Sequence, residues 1–269
     1  SKKEPVKSIF HRILSYENFR LFRRGGWNLV SVLIAIGFFF IVSLVKPYWP
    51  KEIESDGRFY FVVTNAAHMF LFVTINLCMM VIYKMKSPVF EQYKTFKENW
   101  PWDENYEEWR SLLKNTFFYL FINQFIVTPL SMLSYAARDQ APNNLLYEEL
   151  PDMKTIILHL SFFVIVEDFL FYWSHRLLHH KKIYPYIHKI HHRYRLVVSI
   201  STEYCHPVEH LFANLIPSTA GPLILGKSAH MFTYMVWMVI RMGETADGHS
   251  GYEFPWSPYR LLFLSAGQE

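Results

Sequence analysis

Cysteine is scarce in this chain: two occur among 269 residues, Cys78 within a long apolar run and Cys205 in a polar loop. Two isolated cysteines imply no disulfide framework, and neither has the spacing of a cysteine metal motif. A small disulfide-stabilised secreted domain is therefore excluded. The scarcity suits a functional face that lies in the reducing cytosol.

The chain also lacks internal repeats, low-complexity tracts and flexible linkers, so we interpret residues 1–269 as a single domain. Its first five residues, from Ser1 to Pro5, have no apolar core of a signal peptide and support no targeting assignment. The net charge is only +4. We assign this charge to membrane topology and lipid headgroups and expect no nucleic-acid partner.

Long hydrophobic runs are abundant, since 51% of the residues are hydrophobic and 18% are aromatic. A helix of about 20 apolar residues crosses the hydrocarbon core of a bilayer. The runs predict an all-α, polytopic membrane helical bundle with spans at 27–45, 59–83, 115–133 and 155–173.

Two later apolar helices are shorter or interrupted. They lie at 208–225 and 232–240, and the first contains Pro217, Gly221 and Pro222. We expect these helices to be re-entrant or to pack over the others at the membrane interface.

Positive charges in the loops give the orientation. Lysine and arginine number seven in 1–26, three in 46–58, six in 84–114, two in 134–154 and six in 174–195. Because positive loops stay in the cytoplasm, the first, third and fifth segments should be cytoplasmic. Aromatic residues flank many span ends, as in an interfacial belt: Trp27, Tyr48, Trp49, Tyr83, Trp100 and Trp102.

Five histidines follow the fourth span in two clusters, His175 with His179 and then His188 with His191 and His192. On a helix, positions i, i+3 and i+4 share one face, so each cluster can direct its rings at one point. Neutral imidazole is the usual nitrogen ligand of iron, copper and zinc. A zinc ion takes about four ligands, so five histidines indicate two metal ions. By the loop charges, this site lies at the cytoplasmic mouth of the bundle.

Glu167 and Asp168 lie inside the fourth span, where carboxylates are costly and often functional. Asp168, Tyr172, His175 and His179 form one helix stripe, which should face the bundle interior. Asp168 could accept the second ring N–H of a histidine on a neighbouring helix. The alternative is an internal ion pair or a hydrogen bond to a residue such as Asn123.

Two polar islands follow the clusters, at 203–210 and 244–252. His206 and His249 are the further candidate ligands there, and His210 is a fainter one. Glu203, Glu244 and Asp247 are candidates to accept a hydrogen bond from a ligand ring. Each island could instead be a capped turn. The remaining histidines are interpreted as core or surface residues, including His68, His159 and His180.

Together these motifs resemble the fatty acid hydroxylase and sterol desaturase superfamily. The strings are HRLLHHKKIYPYIHKIHH (175–192), EYCHPVE (203–209) and ETADGHSGYEFP (244–255). The last two are narrower and resemble the sterol C4-methyl oxidases. The resemblance is close over the histidine-box region, 167–269, and covers the earlier part only as a similar pattern of spans.

The resemblance implies two non-haem iron ions that activate O2 to oxidise the 4-methyl group of a sterol. Electrons would come from NAD(P)H through a reductase and a b-type cytochrome. The expected location is the endoplasmic reticulum membrane, with the histidines facing the cytosol.

One departure opens an alternative. The family pattern has a third box, His-x-x-His-His, where this chain ends at Gly267-Gln268-Glu269. Truncation of the chain is one explanation, and we favour it because every earlier box is intact. The other is an incomplete family member that serves as an accessory subunit of a membrane complex, for example in the mitochondrial inner membrane. A lipid-binding or transport protein would explain the spans but not the convergent histidines.

Overall fold

A computed structural model describes residues 25–53, 57–136 and 141–261. Within these ranges the chain is helical, and extended backbone pairs only at two isolated bridges, Lys94 with Tyr252 and Asn144 with His230. The all-α prediction is confirmed. The positive segment 1–24 and the approach to the expected third histidine box, 262–269, lie outside the described residues.

Four long helices correspond to the predicted spans. Helix α1 is Gly25–Val45 and α2 is Gly57–Met85. Helix α3 is α-helical over Tyr106–Ile122, π-helical over Asn123–Val127 and α-helical again over Thr128–Ala136, and α4 is Met153–Leu178. All four are long and apolar enough to cross a membrane, which confirms the predicted number of spans.

Polar caps extend α3 and α4 beyond their apolar stretches. Asn105 Oδ1 accepts the Glu108 N–H at 3.2 Å, so α3 begins well before residue 115. Asp152 Oδ1 accepts the Thr155 N–H at 2.7 Å at the start of α4. At its other end α4 continues past residue 173, with His179 as its C-cap. The first histidine cluster is therefore held on helical backbone.

The two later helices form a hairpin that runs the depth of the bundle. Helix α5 comprises Pro207–Glu209, a π-helical segment at His210–Leu215, and Ile216–Leu225, and α6 is Met231–Gly248. Their link lies beside the loop that joins α3 to α4, because Asn144 N–H donates to Ala229 O at 2.9 Å. That loop is at the opposite end of α4 from the histidines. The hairpin therefore begins and ends at the histidine end of the bundle, as a re-entrant pair does.

Burial explains why α6 belongs inside. Its first half is almost wholly enclosed, including Met231 and Trp237, while its second half carries Arg241 and Glu244, which would be costly against lipid. Helix α5 packs closely on α4 at Gly221, where an added Cβ would come within 2.9 Å of Phe163 Cα.

Both π-helical segments directly precede a proline-containing turn. Pro129 follows the segment in α3 and Pro217 the segment in α5. Proline lacks an N–H and clashes with the carbonyl four residues earlier, so a wider turn relieves the conflict. The two segments lie side by side, with Thr128 Oγ1 3.0 Å from His210 Nε2. Polar side chains on α3 and α5 are therefore directed at each other inside the bundle.

An aromatic cap closes the histidine end of the bundle. Its buried members are Tyr83, Trp100, Tyr194, Tyr204 and Tyr252. Tyr83 OH donates to Ser250 O at 2.7 Å, which ties the end of α2 to the segment after α6. Trp100 and Tyr83 therefore pack in the protein and are not interfacial anchors, whereas Tyr48 is exposed as predicted.

The loop segments within the described residues divide between the two ends as the charge alternation requires. The segments 86–105 and 194–204 meet in the aromatic cap. At the other end, Trp49 Nε1 donates to Leu145 O at 2.8 Å and Lys46 Nζ to Pro151 O at 2.7 Å. The lysine-rich loops are thus on the histidine side, and the lysine-poor loops are opposite.

Candidate metal centre

The first pair of imidazoles sits at the end of α4. His175 and His179 are one turn apart, and their Nε2 atoms lie 3.1 Å from each other. The His179 N–H donates to His175 O at 3.1 Å, so the last helical turn fixes the spacing of the rings. The i, i+4 arrangement expected from the sequence places both rings on one side.

The second cluster lies on a 3₁₀-helix, His188–Arg193, and not on the α-helix expected. In a 3₁₀-helix, residues i and i+3 eclipse one another. His188 and His191 accordingly stack, with ring centroids 5.7 Å apart. His188 is fully buried, and its Nε2 lies 3.1 Å from His179 Nε2 and 3.0 Å from His192 Nε2. The two clusters thus form one continuous group.

Helix α6 brings a sixth imidazole to the same place. His249 follows its last turn, and its Nε2 lies 3.4 Å from His191 Nε2. Together with His175, His188, His191 and His192, His249 lines a polar cavity. His179 and His192 are exposed, so the group opens to the surface on that side.

The partners of the Nδ1 atoms fix the direction of the Nε2 lone pairs. His191 Nδ1 lies 3.2 Å from Tyr204 O, and His249 Nδ1 lies 2.9 Å from Thr245 O. A carbonyl oxygen only accepts, so each Nδ1 carries the proton and each Nε2 presents a bare lone pair. His188 Nδ1 lies 2.8 Å from Glu209 Oε1, which gives the same tautomer when the carboxyl is ionised.

The spacing of the Nε2 atoms fits a metal ion. Metal–imidazole bonds are about 2.0–2.1 Å long, so two cis ligands are about 3.0 Å apart at a right angle and about 3.4 Å apart at the tetrahedral angle. The observed separations run from 3.0 to 3.4 Å. Atoms from His175, His179 and His188 lie within 4.8 Å of one another. Lone pairs directed at each other repel, and a cation between them would remove the repulsion.

Burial keeps these rings in the neutral form that binds metals. It lowers the pKa of His188 to about 4 and that of His191 to about 3, and it also lowers the pKa of His192 and His249. Six imidazoles exceed the four ligands of a tetrahedral ion. The donor set therefore suits two cations of the first-row transition metals.

Glu209 is a site residue that sequence reasoning missed. It is buried, and among the described residues its Oε2 has no hydrogen-bond partner. Burial raises the pKa of this carboxyl to about 9, so a nearby cation is needed to keep it ionised at neutral pH. Pro207 at the first position of α5 places Glu209 in the first turn of the helix. The two-residue spacing from this proline was the signal in the sequence that could have placed Glu209 near the site.

The two acids of α4 lie in different surroundings. Glu167 accepts from Arg241 Nε at 2.7 Å, a largely buried ion pair that the sequence did not suggest. Asp168 lines the metal cavity. Asn123, the alternative partner of Asp168, donates to Cys205 O instead. Tyr172 is 51% exposed, so the predicted interior stripe is wrong at that position.

Where the structure describes the other predicted carboxylates, their hydrogen bonds and ion pairs include residues outside the two histidine clusters. Glu203 is bonded to His68 and Gln124, and Glu244 Oε2 lies 3.9 Å from Arg241. Asp247 Oδ2 accepts from Ser257 at 2.9 Å. Backbone carbonyls of Tyr204 and Thr245 take the role expected of these acids. For His249, Thr245 O lies one turn earlier at the end of α6, where it accepts the His249 backbone N–H at 3.1 Å and has a second lone pair for the ring Nδ1.

His206 lies at the start of α5, where its Nδ1 accepts the Val208 N–H at 3.1 Å. It is not among the residues that line the metal cavity. His206 therefore caps the start of α5, as the capped-turn alternative expected. Its role as a metal ligand stays a prediction. His180 is exposed, and its Nδ1 accepts the Lys182 N–H, in agreement with a surface position.

Comparisons with known proteins identify the family. The family model described as fatty acid hydroxylase matches residues 160–268, which include both histidine clusters and the α5–α6 hairpin. A Dictyostelium discoideum protein, assigned provisionally as a methylsterol monooxygenase, is 31% identical over 226 residues, 82% of this chain and 79% of the relative. The chain belongs to the fatty acid hydroxylase family.

The names of other relatives in this family give two different activities. Methylsterol monooxygenase 2-1 of Arabidopsis thaliana is 42% identical over 118 residues, 44% of this chain and 42% of the relative. The very-long-chain aldehyde decarbonylase GL1-8 of Oryza sativa subsp. indica is 37% identical over 188 residues, 67% of this chain. The match spans 63% of that relative's length. No solved structure matches the chain.

The family assignment confirms the resemblance drawn from the histidine strings. Four apolar helices and these relatives indicate a multi-pass membrane protein.

Proposed function

We propose that this chain is a membrane di-iron oxygenase that oxidises the C4 methyl group of a sterol. The observation that carries the proposal is the convergence of Nε2 lone pairs, with Nδ1 atoms fixed by acceptors, at one end of an apolar bundle. The methylsterol monooxygenases among the relatives support the substrate class.

The histidines described above would hold two iron ions. Imidazole sites suit several first-row metals, and the family's oxygenase chemistry favours iron. When bound, the iron pair would supply the O2-dependent redox chemistry that breaks an unactivated C–H bond. The protein's own part is to keep the rings neutral, to orient His188 through Glu209, and to bring a bilayer-dissolved carbon to the cavity.

Electrons would come from NAD(P)H through a reductase and a b-type cytochrome. An acidic electron carrier could dock on basic residues next to the centre: Lys181, Lys182, Arg193 and Arg195. Lipid headgroups would bind the same residues, and the docking assignment rests on their position beside the open side of the histidine group. We place the protein in the endoplasmic reticulum membrane, as the family resemblance implies. The histidines would face the cytosol, because the lysine-rich loops share that end.

Iron content and turnover test the proposal together. The protein purified in detergent should contain about two iron ions per chain. With NADPH, a reductase and a b-type cytochrome, it should convert a 4-methylsterol to its 4-hydroxymethyl product. The His191→Ala variant should lose both iron and activity. Two iron ions without sterol oxidation would reject a 4-methylsterol as the substrate. No iron, or a single zinc ion, would favour the accessory-subunit alternative.

The rice relatives favour a second candidate, removal of the carbonyl carbon of a very-long-chain aldehyde. The same preparation incubated with such an aldehyde would then yield an alkane one carbon shorter. Measuring both products in one mixture ranks the two substrates directly.

A further inference from the structure

A second polar group lies within the bundle, apart from the imidazoles of the metal centre. Glu203 is buried and bonds to His68 Nε2 at 3.2 Å on α2 and to Gln124 Nε2 at 3.2 Å on α3. Thr128 and His210 extend this group on α3 and α5. We name these five residues the interior polar cluster. Polar groups at this depth are costly and usually functional.

His210 carries the decisive feature of this cluster. Its side chain is 4% exposed, and its Nε2 lies 3.0 Å from Thr128 Oγ1. Its Nδ1 has no hydrogen-bond partner among the described residues. A buried ring nitrogen without a partner is destabilising, so His210 Nδ1 is a candidate to bond a group that comes from outside the protein.

The interior polar cluster lines a cavity between α2, α3, α5 and α6. Apolar side chains, among them Met132, Trp237 and Met238, share the remainder of the lining with further polar ones. A cavity that combines apolar surface with convergent polar groups is typical of a ligand pocket.

The cavity adjoins the metal centre. Four residues line both this cavity and the metal cavity: Thr202, Asn214, Arg241 and Thr245. In addition, His210 follows Glu209 directly, and Glu209 bonds to His188. Consecutive Cα atoms are about 3.8 Å apart, so the backbone of His210 in the interior polar cluster lies about that far from the backbone of Glu209, the carboxylate partner of His188.

We propose that the interior polar cluster is the binding site for the polar group of the lipid substrate, with His210 Nδ1 as its direct partner. A hydroxyl group both donates and accepts, so it can pair with either tautomer of His210. The substrate class is then a lipid whose reacting carbon lies within a few bonds of a hydroxyl or carbonyl group. This inference rests on the proposed function, and it excludes attack at a featureless hydrocarbon terminus.

Two substitutions at His210 separate substrate binding from structural support. The amide of His210→Asn occupies the place of Nδ1, whereas the amide of His210→Gln occupies the place of Nε2. The glutamine variant should therefore keep the contact with Thr128 and lose the proposed substrate contact. The asparagine variant should do the opposite. His159→Gln, on α4 and outside both cavities, is the matched control.

The measurement is binding of two probe pairs to each protein in detergent. The pairs are a 4-methylsterol with its 3-deoxy analogue, and a very-long-chain aldehyde with the alkane of the same length. Wild type and His159→Gln should prefer the oxygenated member of at least one pair by about tenfold. His210→Gln should lose the preference, and His210→Asn should retain part of it, with iron content unchanged in both.

The outcomes distinguish this inference from the proposed function. Loss of preference in His210→Asn but not in His210→Gln would assign His210 to structural support and overturn the inference. Absence of any preference in wild type would overturn it as well, even if sterol oxidation proceeds. The proteins could also discriminate within the aldehyde pair alone, with a preference that His210→Gln abolishes. That result would support this inference and reject the sterol as substrate.

Discussion

Replacing Glu209 with glutamine tests the metal centre because the change removes a charge and almost nothing else. Glu209 Oε1 lies 2.8 Å from His188 Nδ1, and both side chains are buried. Glutamine has nearly the same shape, and its carbonyl oxygen can still accept the His188 N–H. Alanine at this position removes the acceptor too, so the two variants separate charge from hydrogen bonding.

The expected magnitude follows from the role of the contact. Loss of an outer partner of a metal-binding histidine changes metal affinity about 10- to 100-fold. We expect about tenfold weaker binding for Glu209→Gln and about 100-fold for Glu209→Ala, or about 1.4 and 2.7 kcal/mol. Without metal the pKa of Glu209 is raised to about 9, so its carboxyl is protonated at pH 7. The glutamine variant should therefore fold as stably as wild type when metal-free.

The assay is chelator competition on detergent-purified protein at pH 7, with bound iron counted by mass spectrometry. Melting of the metal-free proteins checks that folding is unchanged. His180→Ala is the matched control, because His180 is exposed and only caps a turn near the same clusters.

Equal iron affinity in Glu209→Gln, Glu209→Ala and His180→Ala would show that His188 does not bind metal through Nε2. Weaker iron binding in Glu209→Gln accompanied by an equally large loss of metal-free stability would show that Glu209 acts in folding and not on the metal.

Three further predictions concern pH, packing and topology. Burial lowers the pKa of His191 to about 3, so protons compete with the metal for this ring only at a pH far below the ordinary imidazole pKa. Iron should therefore be retained at pH 5.5, and release of iron by pH 6 would contradict this. Arg241→Met should lower the free energy of unfolding by about 3 kcal/mol, because it leaves Glu167 without its partner. Adding Glu167→Gln to this variant should raise the melting temperature again, and a further fall in melting temperature would refute the ion-pair argument. An impermeant amine reagent should label Lys182 from the cytosolic side of sealed vesicles and Lys51 from the opposite side, and labelling of both from one side would reject the orientation.

The spans and the first histidine pair were predictable because the interactions behind them are local. Length and apolar content decide whether a helix such as α2 crosses a membrane, and four residues of separation decide that His175 and His179 share a face. The second cluster was less determined, since the spacing of His188, His191 and His192 fits both an α-helix and a 3₁₀-helix. Only the structure distinguishes the two.

The supporting partners could not be predicted because they come from distant parts of the chain. Glu209 reaches His188 only once α5 docks beside the 3₁₀-helix. The carbonyls of Tyr204 and Thr245 carry no sequence signal, since every residue has one. The interior polar cluster was missed for a related reason. A single histidine in an apolar helix, such as His68, is usually a core residue, and only tertiary packing sets it against Glu203.

The position of α6 has a consequence for how the protein is made. During synthesis the ends of α4 and the 3₁₀-helix emerge well before α6, so five imidazoles are available while His249 is still untranslated. His249 reaches them only after α5 has run to the far end of the bundle and α6 has returned through its centre. The six-imidazole group therefore exists only in a chain whose α5–α6 hairpin has inserted, so iron retention should report that this hairpin has reached its place in the bundle.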